Sequence, residues 1–372
     1  MAEPLLIEPD RAFIARLMTS GGDCLKKCFQ CANCIAVCEL SKENCDFPRK
    51  PMIEAQWGLK DKVLAEPGIW LCHDCGDCTA NCPRGAKPNQ VMEALRAEAI
   101  RHYAFPKFMG RLVSNPRFLP LLIVLPFLIF RILTVTVSGE GLSRPFIFAQ
   151  LCPERVLEPL FFTLAGLVTL SLAIGLARYI KALRAAGVEG KILAGLLPAL
   201  AEIMTHRKFA QCVTNHRRYW GHLLTLFGFS GLALTGTAVG LATLFGILHT
   251  PLPLLSPFKL FANLCAAVIL AGVVLLVFER FKTKEKRAAT TYFESLFLLI
   301  LAAAAATGIL SEILRLAQTP ELMYLTYFIH LNLVFMLFLY APYSKFVHFL
   351  YRTVTLAIAR DGQTIAARPV SV

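Results

Sequence analysis

The chain has 372 residues, of which 56% are hydrophobic and 17% are charged, whereas soluble globular proteins average roughly 45–50% apolar and ~25% charged residues. This composition excludes an ordinary soluble enzyme. The net charge of +13 comes entirely from residues 111–372, which hold 24 Lys and Arg against 11 Asp and Glu, while residues 1–110 hold 14 of each kind. Ten of the 13 cysteines lie in the first 82 residues. The chain therefore joins a neutral, cysteine-rich part to a basic, apolar part.

The N-terminal residues show no secretory signal. They include acidic side chains and lack both a basic segment and a continuous apolar run, which a secretory signal contains. We therefore expect the cysteine-rich part to stay in the reducing cytoplasm, where clustered cysteines indicate metal binding more readily than disulfides.

Two cysteine runs have the same spacing, Cys-x2-Cys-x2-Cys-x3-Cys. In such pairs, three cysteines of one run bind three corners of an iron–sulfur cube and the fourth binds the other cube. The spacing predicts one 4Fe–4S cluster on Cys28, Cys31, Cys34 and Cys82, and another on Cys72, Cys75, Cys78 and Cys38. Structural zinc is the alternative, but zinc ligands usually come as two separated pairs. Cys24 and Cys45 have no predicted role.

The apolar part holds six blocks long enough to cross a membrane, since about 20 residues span a hydrocarbon core ~30 Å thick. We place these spans near residues 118–137, 157–180, 219–248, 258–281, 292–314 and 323–349. Connections on one side hold 20 Lys and Arg, and those on the other side hold four. The positive-inside rule therefore predicts cytoplasmic termini and a cytoplasmic cysteine domain on the inner membrane. The basic charge reports topology, and no nucleic-acid partner is expected.

Three histidines in the apolar part are predicted haem ligands. His330 and His348 both fall on the sixth predicted span, 18 residues apart, which is five helical turns and about 27 Å. His222 on the third span lies at the depth of His348, so these two imidazoles are expected to bind one iron from opposite sides. The alternative is a structural histidine, but ionisable groups inside membranes are costly and usually functional.

His330 has no predicted partner of matching depth. His249 is the candidate fourth ligand, but it lies about 40 Å above His222 and overshoots His330 by about 13 Å. One or two haems b are therefore expected. Four cations could pair with haem propionates or simply snorkel to the interface: Arg217, Arg218, Lys345 and Arg352.

A quinone site needs an amphipathic pocket beside a haem edge, a polar group and a proton path. Glu312 and Arg131 are the preferred candidates, together with His249, at the end of the bundle away from the cysteines. Each also has an ordinary role, because Arg131 can snorkel and Glu312 can pair with Arg315. At the cytoplasmic level the candidates are His206, His216 and Glu294.

Both parts resemble known redox families. The sixth predicted span, HLNLVFMLFLYAPYSKFVH, resembles the paired-histidine helix of the gamma subunit of respiratory nitrate reductase, a di-haem b protein that oxidises quinol. The third, GHLLTLFGFSGLALTG, is similar to that family's other ligand helix, with His222 at its first histidine and Leu232 near its second. The cysteine part resembles the C subunit of heterodisulfide reductase, an electron-wire protein with two 4Fe–4S clusters.

The order of the two parts is similar to that in the membrane subunit of the quinone-interacting membrane-bound oxidoreductase (Qmo) complex of sulfate reducers. This resemblance implies menaquinone, soluble flavin and iron–sulfur partner subunits, and electron exchange with adenylylsulfate reductase.

The expected fold is α-helical: a ferredoxin-like di-cluster domain over residues 1–110, similar to the C subunit of heterodisulfide reductase, and a six-helix transmembrane haem b domain over residues 111–372. The expected function is electron transfer between the quinone pool and soluble partner subunits. One alternative is a heterodisulfide-reductase-like protein that serves a thiol–disulfide partner. Another is a redox-sensing or assembly scaffold.

Overall fold

A computed structural model describes residues 8–43, 46–137, 146–206, 216–282 and 292–360. Throughout these ranges the chain forms α-helices, short 3₁₀ helices and turns, without a strand. The predicted α-helical class is therefore confirmed. Cys45 lies outside the described residues.

The front part is built from short helices around one longer one. In chain order the helices are α1 (Arg11–Thr19), α2 (Asn33–Ala36), α3 (Arg49–Gln56), α4 (Lys60–Leu64), α5 (Gly68–Leu71), α6 (Asp77–Ala80), α7 (Pro88–Tyr103) and α8 (Lys107–Ser114). Helix α7 begins with Pro88, whose missing N–H is no loss at the first helical position. Its Val91, Leu95 and Ala99 are fully buried, so one face of α7 organises the core of this part.

The described residues of the second part form the six long apolar helices that the sequence predicts, and a shorter helix, α11, lies between the second and the third. In chain order these are α9 (Leu119–Val137), α10 (Glu154–Ala185), α11 (Ile192–Thr205), α12 (His216–Leu244), α13 (Pro257–Lys282), α14 (Tyr292–Leu316) and α15 (Pro320–Tyr340). The six long helices are apolar enough to cross a membrane. The chain is accordingly treated as a multi-pass membrane protein.

The predicted sixth span is wrong at its end. The sequence predicts that it continues to residue 349, but α15 stops at Tyr340 and two 3₁₀ turns follow, Ala341–Tyr343 and Lys345–Val347. Pro342 explains the break, because proline cannot donate the helical hydrogen bond and its ring clashes with the preceding turn. A separate helix, α16 (His348–Arg360), begins afterwards. His330 and His348 therefore lie on two helices and do not share one helix face.

The two parts of the chain share one hydrophobic core. Trp70 of the front part packs edge-on against Tyr351, with ring centroids 4.9 Å apart, and against Tyr179 at 6.1 Å. Tyr103 joins the same group at 5.5 Å from Tyr179. All four side chains are buried. Packing thus continues across the expected boundary near residue 110, and this holds the front part against one end of the helix bundle.

Candidate cofactor sites

The two cysteine loops have the same backbone conformation. In each loop, the residues two and four places after the first cysteine have positive φ: Gln30 at 59°, Ala32 at 67°, Asp74 at 54° and Gly76 at 87°. A short helix, α2 or α6, starts directly after the second of these residues. Positive φ is uncommon outside glycine, so its repetition in both loops indicates that the chain wraps twice around the same kind of centre.

One group of cysteines comes from both loops. Burial, followed by the nearby Cys28, Cys31 and Cys82 sulfurs, raises the pKa of the Cys34 thiol to about 11. The pKa of Cys28 is likewise raised by burial, and Cys82 and Cys31 act in the same direction. The structure therefore brings together Cys28, Cys31, Cys34 and Cys82, which we call the first cysteine group.

A second group combines the remaining four. Burial raises the pKa of Cys78, and Cys72, Cys75 and Cys38 are its strongest electrostatic neighbours. Burial also raises the pKa of Cys75 to about 12. We call Cys38, Cys72, Cys75 and Cys78 the second cysteine group. Cys34 lies close enough to Cys78 to affect its pKa too, so the two groups are neighbours.

The donor set fits iron–sulfur clusters. Sulfur atoms accept hydrogen bonds from the Gln30 side chain (3.3 Å, to Cys28), the Asp74 amide (3.4 Å, to Cys72) and the Ala86 amide (3.3 Å, to Cys82). Thiols with raised pKa values ionise only beside strong positive charge, which coordinated iron provides. Among the described residues, no three Cys, His, Asp or Glu side chains lie close enough to share one metal ion.

A cavity of about 1270 Å³ lies where the front part meets the bundle. Cys72 and His73 line it from the front part, and His206, His222 and His348 line it from the second part. The second cysteine group therefore borders the same cavity as the three histidines of the second part.

His222 and His348 face each other in this cavity. Their ring centroids are 6.2 Å apart and their planes are inclined by 88°. Two imidazoles that share a metal ion through bonds of about 2 Å place their centroids about 6 Å apart. The His348 Nδ1–H donates to the Lys345 carbonyl, so Nε2 remains for a metal. Burial, reinforced by the charge of Lys345, lowers the pKa of His348 to about 4, which leaves the imidazole neutral. The pair fits a bis-histidine haem.

His206 is a third histidine in the cavity, and sequence reasoning missed its link to His222. Its Nε2 lies 2.8 Å from Nδ1 of His222. His206 follows the last residue of α11 in the left-handed conformation, with φ of 49°. This hydrogen bond occupies Nδ1 of His222 and leaves its Nε2 for a metal, as Lys345 does for His348. No motif marks His206, because its position depends on how α11 folds back onto α16.

Three of the four cations that could pair with haem propionates contact the front part. Arg218 donates to the Asp74 carbonyl at 2.8 Å and pairs with its carboxylate at 3.1 Å. Arg352 donates to the Trp70 carbonyl at 2.8 Å, and its other terminal nitrogen lies 3.1 Å from Nδ1 of His73. These cations line the cavity as well, so they border both the second cysteine group and the histidine pair.

The third cation, Lys345, forms a buried triad. Its ammonium lies 2.9 Å from one Glu93 oxygen, and Arg96 lies 3.0 Å from the other. Burial alone raises the pKa of Glu93, but the charges of Lys345 and Arg96 lower it more, so the carboxyl stays ionised. Arg96 also donates to the Cys72 carbonyl at 2.6 Å. The triad therefore connects the cysteine loop to the segment before His348.

The structure does not bring His330 and His249 together. Nδ1 of His330 lies 3.0 Å from the Ala304 carbonyl and 3.2 Å from the Thr307 hydroxyl. His249 is exposed, and Glu154 is a carboxyl close enough to feel its charge. The fourth ligand expected for a second haem is therefore not beside His330.

Glu312 and Arg131 lie away from the cavity. Glu312 pairs with Lys259 at 2.6 Å, which the sequence did not suggest, and with Arg315 at 2.9 Å, which it did. Arg131 is exposed on α9. Neither residue lines the cavity that holds His222 and His348.

Two family models match the chain. Residues 27–87 match the 4Fe-4S dicluster domain, and residues 115–369 match the model described as citrate utilization protein B. The second match covers more than half of the chain and includes His206, His222 and His348.

Curated relatives fall into the same two classes. The C subunit of H(2):CoB-CoM heterodisulfide,ferredoxin reductase of Methanothermobacter thermautotrophicus is 34% identical over 92 residues, which is 25% of this chain and 50% of that protein. A protein of Archaeoglobus profundus described as like the C subunit of heterodisulfide reductase is 36% identical over 85 residues, covering 23% and 45%. The chain thus spans about half the length of these relatives.

Citrate utilization protein B of Escherichia coli is 27% identical over 312 residues, which is 77% of this chain and 79% of that protein. No solved structure matches the chain. The front part is therefore an iron–sulfur electron-transfer domain similar to the C subunit of heterodisulfide reductase, joined to membrane helices.

Proposed function

The chain belongs to the family of citrate utilization protein B, and on that premise we propose that it is a membrane-anchored electron-transfer subunit that binds two 4Fe–4S clusters and haem b. It carries electrons between quinone in the bilayer and a soluble partner. Haem b would supply a one-electron iron couple when bound.

One observation carries this proposal: a single cavity is lined by Cys72 and by the facing pair His222 and His348. A ligand held by the two imidazoles would lie beside the second cysteine group. The protein's contribution is to fix that separation and to surround it with charged side chains.

The cysteine groups continue the route to the surface. The second group borders the cavity through Cys72, and the first group includes Cys31, which is exposed. Phe29 beside it is 67% exposed, and the Arg84 guanidinium lies 4.1 Å from the centre of its ring. This face is where we place the exchange of electrons with a soluble partner.

The finer parts of the proposal rest on sequence. The lysine and arginine distribution supports an inner-membrane protein with the cysteine domain in the cytoplasm. The resemblance to the Qmo membrane subunit supports menaquinone, soluble flavin and iron–sulfur partner subunits, and adenylylsulfate reductase beyond them. Oxidation of one quinol would deliver two electrons and release two protons, and the reverse flow uses the same route.

The comparisons favour two other classes of partner. The similarity of the front part to the C subunit of heterodisulfide reductase favours a thiol–disulfide partner. The name of the E. coli relative favours a partner in the use of citrate or a similar carboxylic acid. These candidates differ only in the soluble enzyme and share the membrane route.

The test is spectroscopic and uses the purified full-length protein. We expect haem b bands after reduction with dithionite, about eight iron atoms per chain in clusters, and reduction of both centres by a quinol. Protein that shows no haem b bands and no reduction by a quinol would leave only the scaffold function. Co-purification from native membranes, followed by mass spectrometry, then identifies which of the three partner classes is bound.

A further inference from the structure

We propose that a quinone head group binds in the membrane-side end of the histidine cavity, against the Tyr292 hydroxyl, and enters between α13 and α14. This inference rests on the proposed function and places its substrate. It differs from the sequence expectation, which put quinone near Glu312 and Arg131.

The cavity is larger than one ligand needs. Its volume of about 1270 Å³ exceeds the roughly 300–1,000 Å³ of typical small-molecule sites. One end is polar and lies against the front part, where Asp74, Glu93 and Arg96 line it. The other end is apolar and is formed by α12, α13 and α14. A ligand between His222 and His348 leaves this second end for another molecule.

The apolar end opens sideways. Val277 and Phe281 on α13 and Leu299 on α14 line the cavity, and they are 38%, 68% and 68% exposed. Val277 and Leu299 lie within the stretches of these helices that can cross a membrane. Exposed apolar side chains at the edge of the cavity and at membrane depth suit the entry of a molecule with an apolar tail.

Tyr292 supplies a hydrogen-bond donor at this end. It is the first residue of α14 and lines the cavity. Its hydroxyl oxygen is shielded from solvent and makes no hydrogen bond to the residues that the structure describes. Buried hydroxyls normally have a partner. Neighbouring atoms cover this hydroxyl, so the Tyr292 ring must turn toward the cavity before it can donate to a quinone carbonyl. The ring and tail of a quinone suit the apolar walls.

The position also gives access to protons. Tyr292 precedes Ser295, where the stretch of α14 that can cross a membrane begins, so the protons of a quinol need to travel only a short distance to water. Glu312, at the opposite end of the same helix, is neutralised by Lys259 and Arg315. The Glu312 carboxylate therefore has its countercharges already in place.

The experiment is photolabelling of the full chain in lipid nanodiscs with an aryl-azide derivative of menaquinone, followed by peptide mapping. We expect labels on Val277, Phe281 and the stretch from Tyr292 to Leu299. Labels confined to peptides with Glu312 or Arg131 would overturn the proposal.

Three variants make the test specific. Tyr292→Phe should raise the half-saturating probe concentration about tenfold, because one hydrogen bond is lost, and Leu299→Trp should block the opening and abolish labelling. Tyr324→Phe is the matched control: its hydroxyl bonds Gln150 at 2.5 Å, away from the cavity, and labelling should not change. Equal labelling of Tyr292→Phe and wild type would contradict the site.

The haem content of each sample distinguishes failure of the quinone site from failure of the proposed function. If the wild-type chain binds haem but the label does not map to this end, the quinone site is wrong and the proposed function stands. If the chain binds no haem, the proposed function fails, whatever the label shows.

Discussion

Nδ1 of His222 is 2.8 Å from Nε2 of His206, and the ring centroid of His222 is 6.2 Å from that of His348. With its Nε2 directed at a metal, His222 carries its proton on Nδ1 and donates it to His206. His206 is therefore a positioning residue for the ligand, in the way that outer partners commonly fix metal-bound histidines.

We expect His206→Ala to weaken haem binding about 10- to 100-fold. It should also raise the midpoint potential, because an acceptor on Nδ1 makes the ligand more basic and favours oxidised iron. His206→Gln, which offers an acceptor of similar reach, should restore most of both properties. The measurements are haem titration of the apoprotein and a redox titration followed by absorbance. An unchanged midpoint potential in His206→Ala would show that this hydrogen bond does not affect the haem iron.

The facing pair predicts a shared haem. His222→Ala and His348→Ala should each remove the same low-spin haem, because a bis-histidine iron needs both ligands. The ring planes are inclined by 88°, and we expect the strongly anisotropic low-spin signal that perpendicular axial ligands produce. Electron paramagnetic resonance of the oxidised protein checks both points. If the two variants lost different haems, His222 and His348 would not be ligands of the same iron.

His330 provides the control for that experiment and a count of haems. Since Nδ1 of His330 bonds the Ala304 carbonyl and His249 is exposed, we expect one haem per chain by pyridine haemochrome. His330→Ala should leave that haem in place. Two haems per chain would mean that His330 shares a second haem iron with a ligand that does not lie beside it in the structure.

The crossing of the cysteine groups gives a fourth prediction. Cys38 and Cys75 lie in different loops, but Cys38→Ser and Cys75→Ser should damage the same cluster. Cys34→Ser and Cys82→Ser should damage the other cluster. In each variant the iron content should fall from about eight to about four atoms per chain, if the second cube survives. Iron analysis and low-temperature resonance spectra of the reduced protein distinguish the two clusters. If Cys38→Ser and Cys34→Ser lost the same cluster in these spectra, the assignment would be wrong.

The buried triad predicts how acid separates the two parts. Glu93→Gln leaves Lys345 and Arg96 without a countercharge, and loss of one member of a buried pair costs about 3–5 kcal/mol. The pKa of Glu93 is lowered in the folded chain, so its stabilisation is fully present above its usual unfolded value of about 4.5. It is lost as pH falls through the lower, folded pKa.

Thermal unfolding in detergent, followed by cluster absorbance, measures this effect. The wild type should lose stability on acidification below about pH 4.5, and Glu93→Gln should be less stable at pH 7 and less sensitive to acid. Glu39→Gln is the control, because Glu39 lies outside the triad and is exposed, and it should change little. If Glu93→Gln were as stable as the wild type at pH 7, the triad would not stabilise the folded chain.

The sequence was informative where ligands are local or where the membrane fixes depth. The cysteine groups follow from spacing of two and three residues, and the same residues are electrostatic neighbours of Cys34 and Cys78. Matching His222 to His348 needed only their distances from cationic residues at one interface. The route to that pairing was partly wrong, since Pro342 ends α15 and His348 opens α16.

Other features depend on tertiary packing that no local pattern carries. Gly195 on α11 approaches the backbone of Ala357 on α16 so closely that an added Cβ would lie 1.9 Å from the Ala357 carbonyl oxygen. This contact helps to place the end of α11, and therefore His206, beside His222. Arg352 likewise reads as an interfacial residue in sequence, yet it holds the Trp70 carbonyl and His73.

The shared core around Trp70 fixes the iron–sulfur part to one end of the bundle, and the cavity opens at that same end. If quinone binds there, its electrons and its protons both enter and leave on one side of the hydrocarbon core. No charge then crosses the bilayer during turnover, so the membrane voltage neither drives nor opposes the reaction. Any proton-motive force linked to this electron flow must come from other proteins that use the same quinone pool.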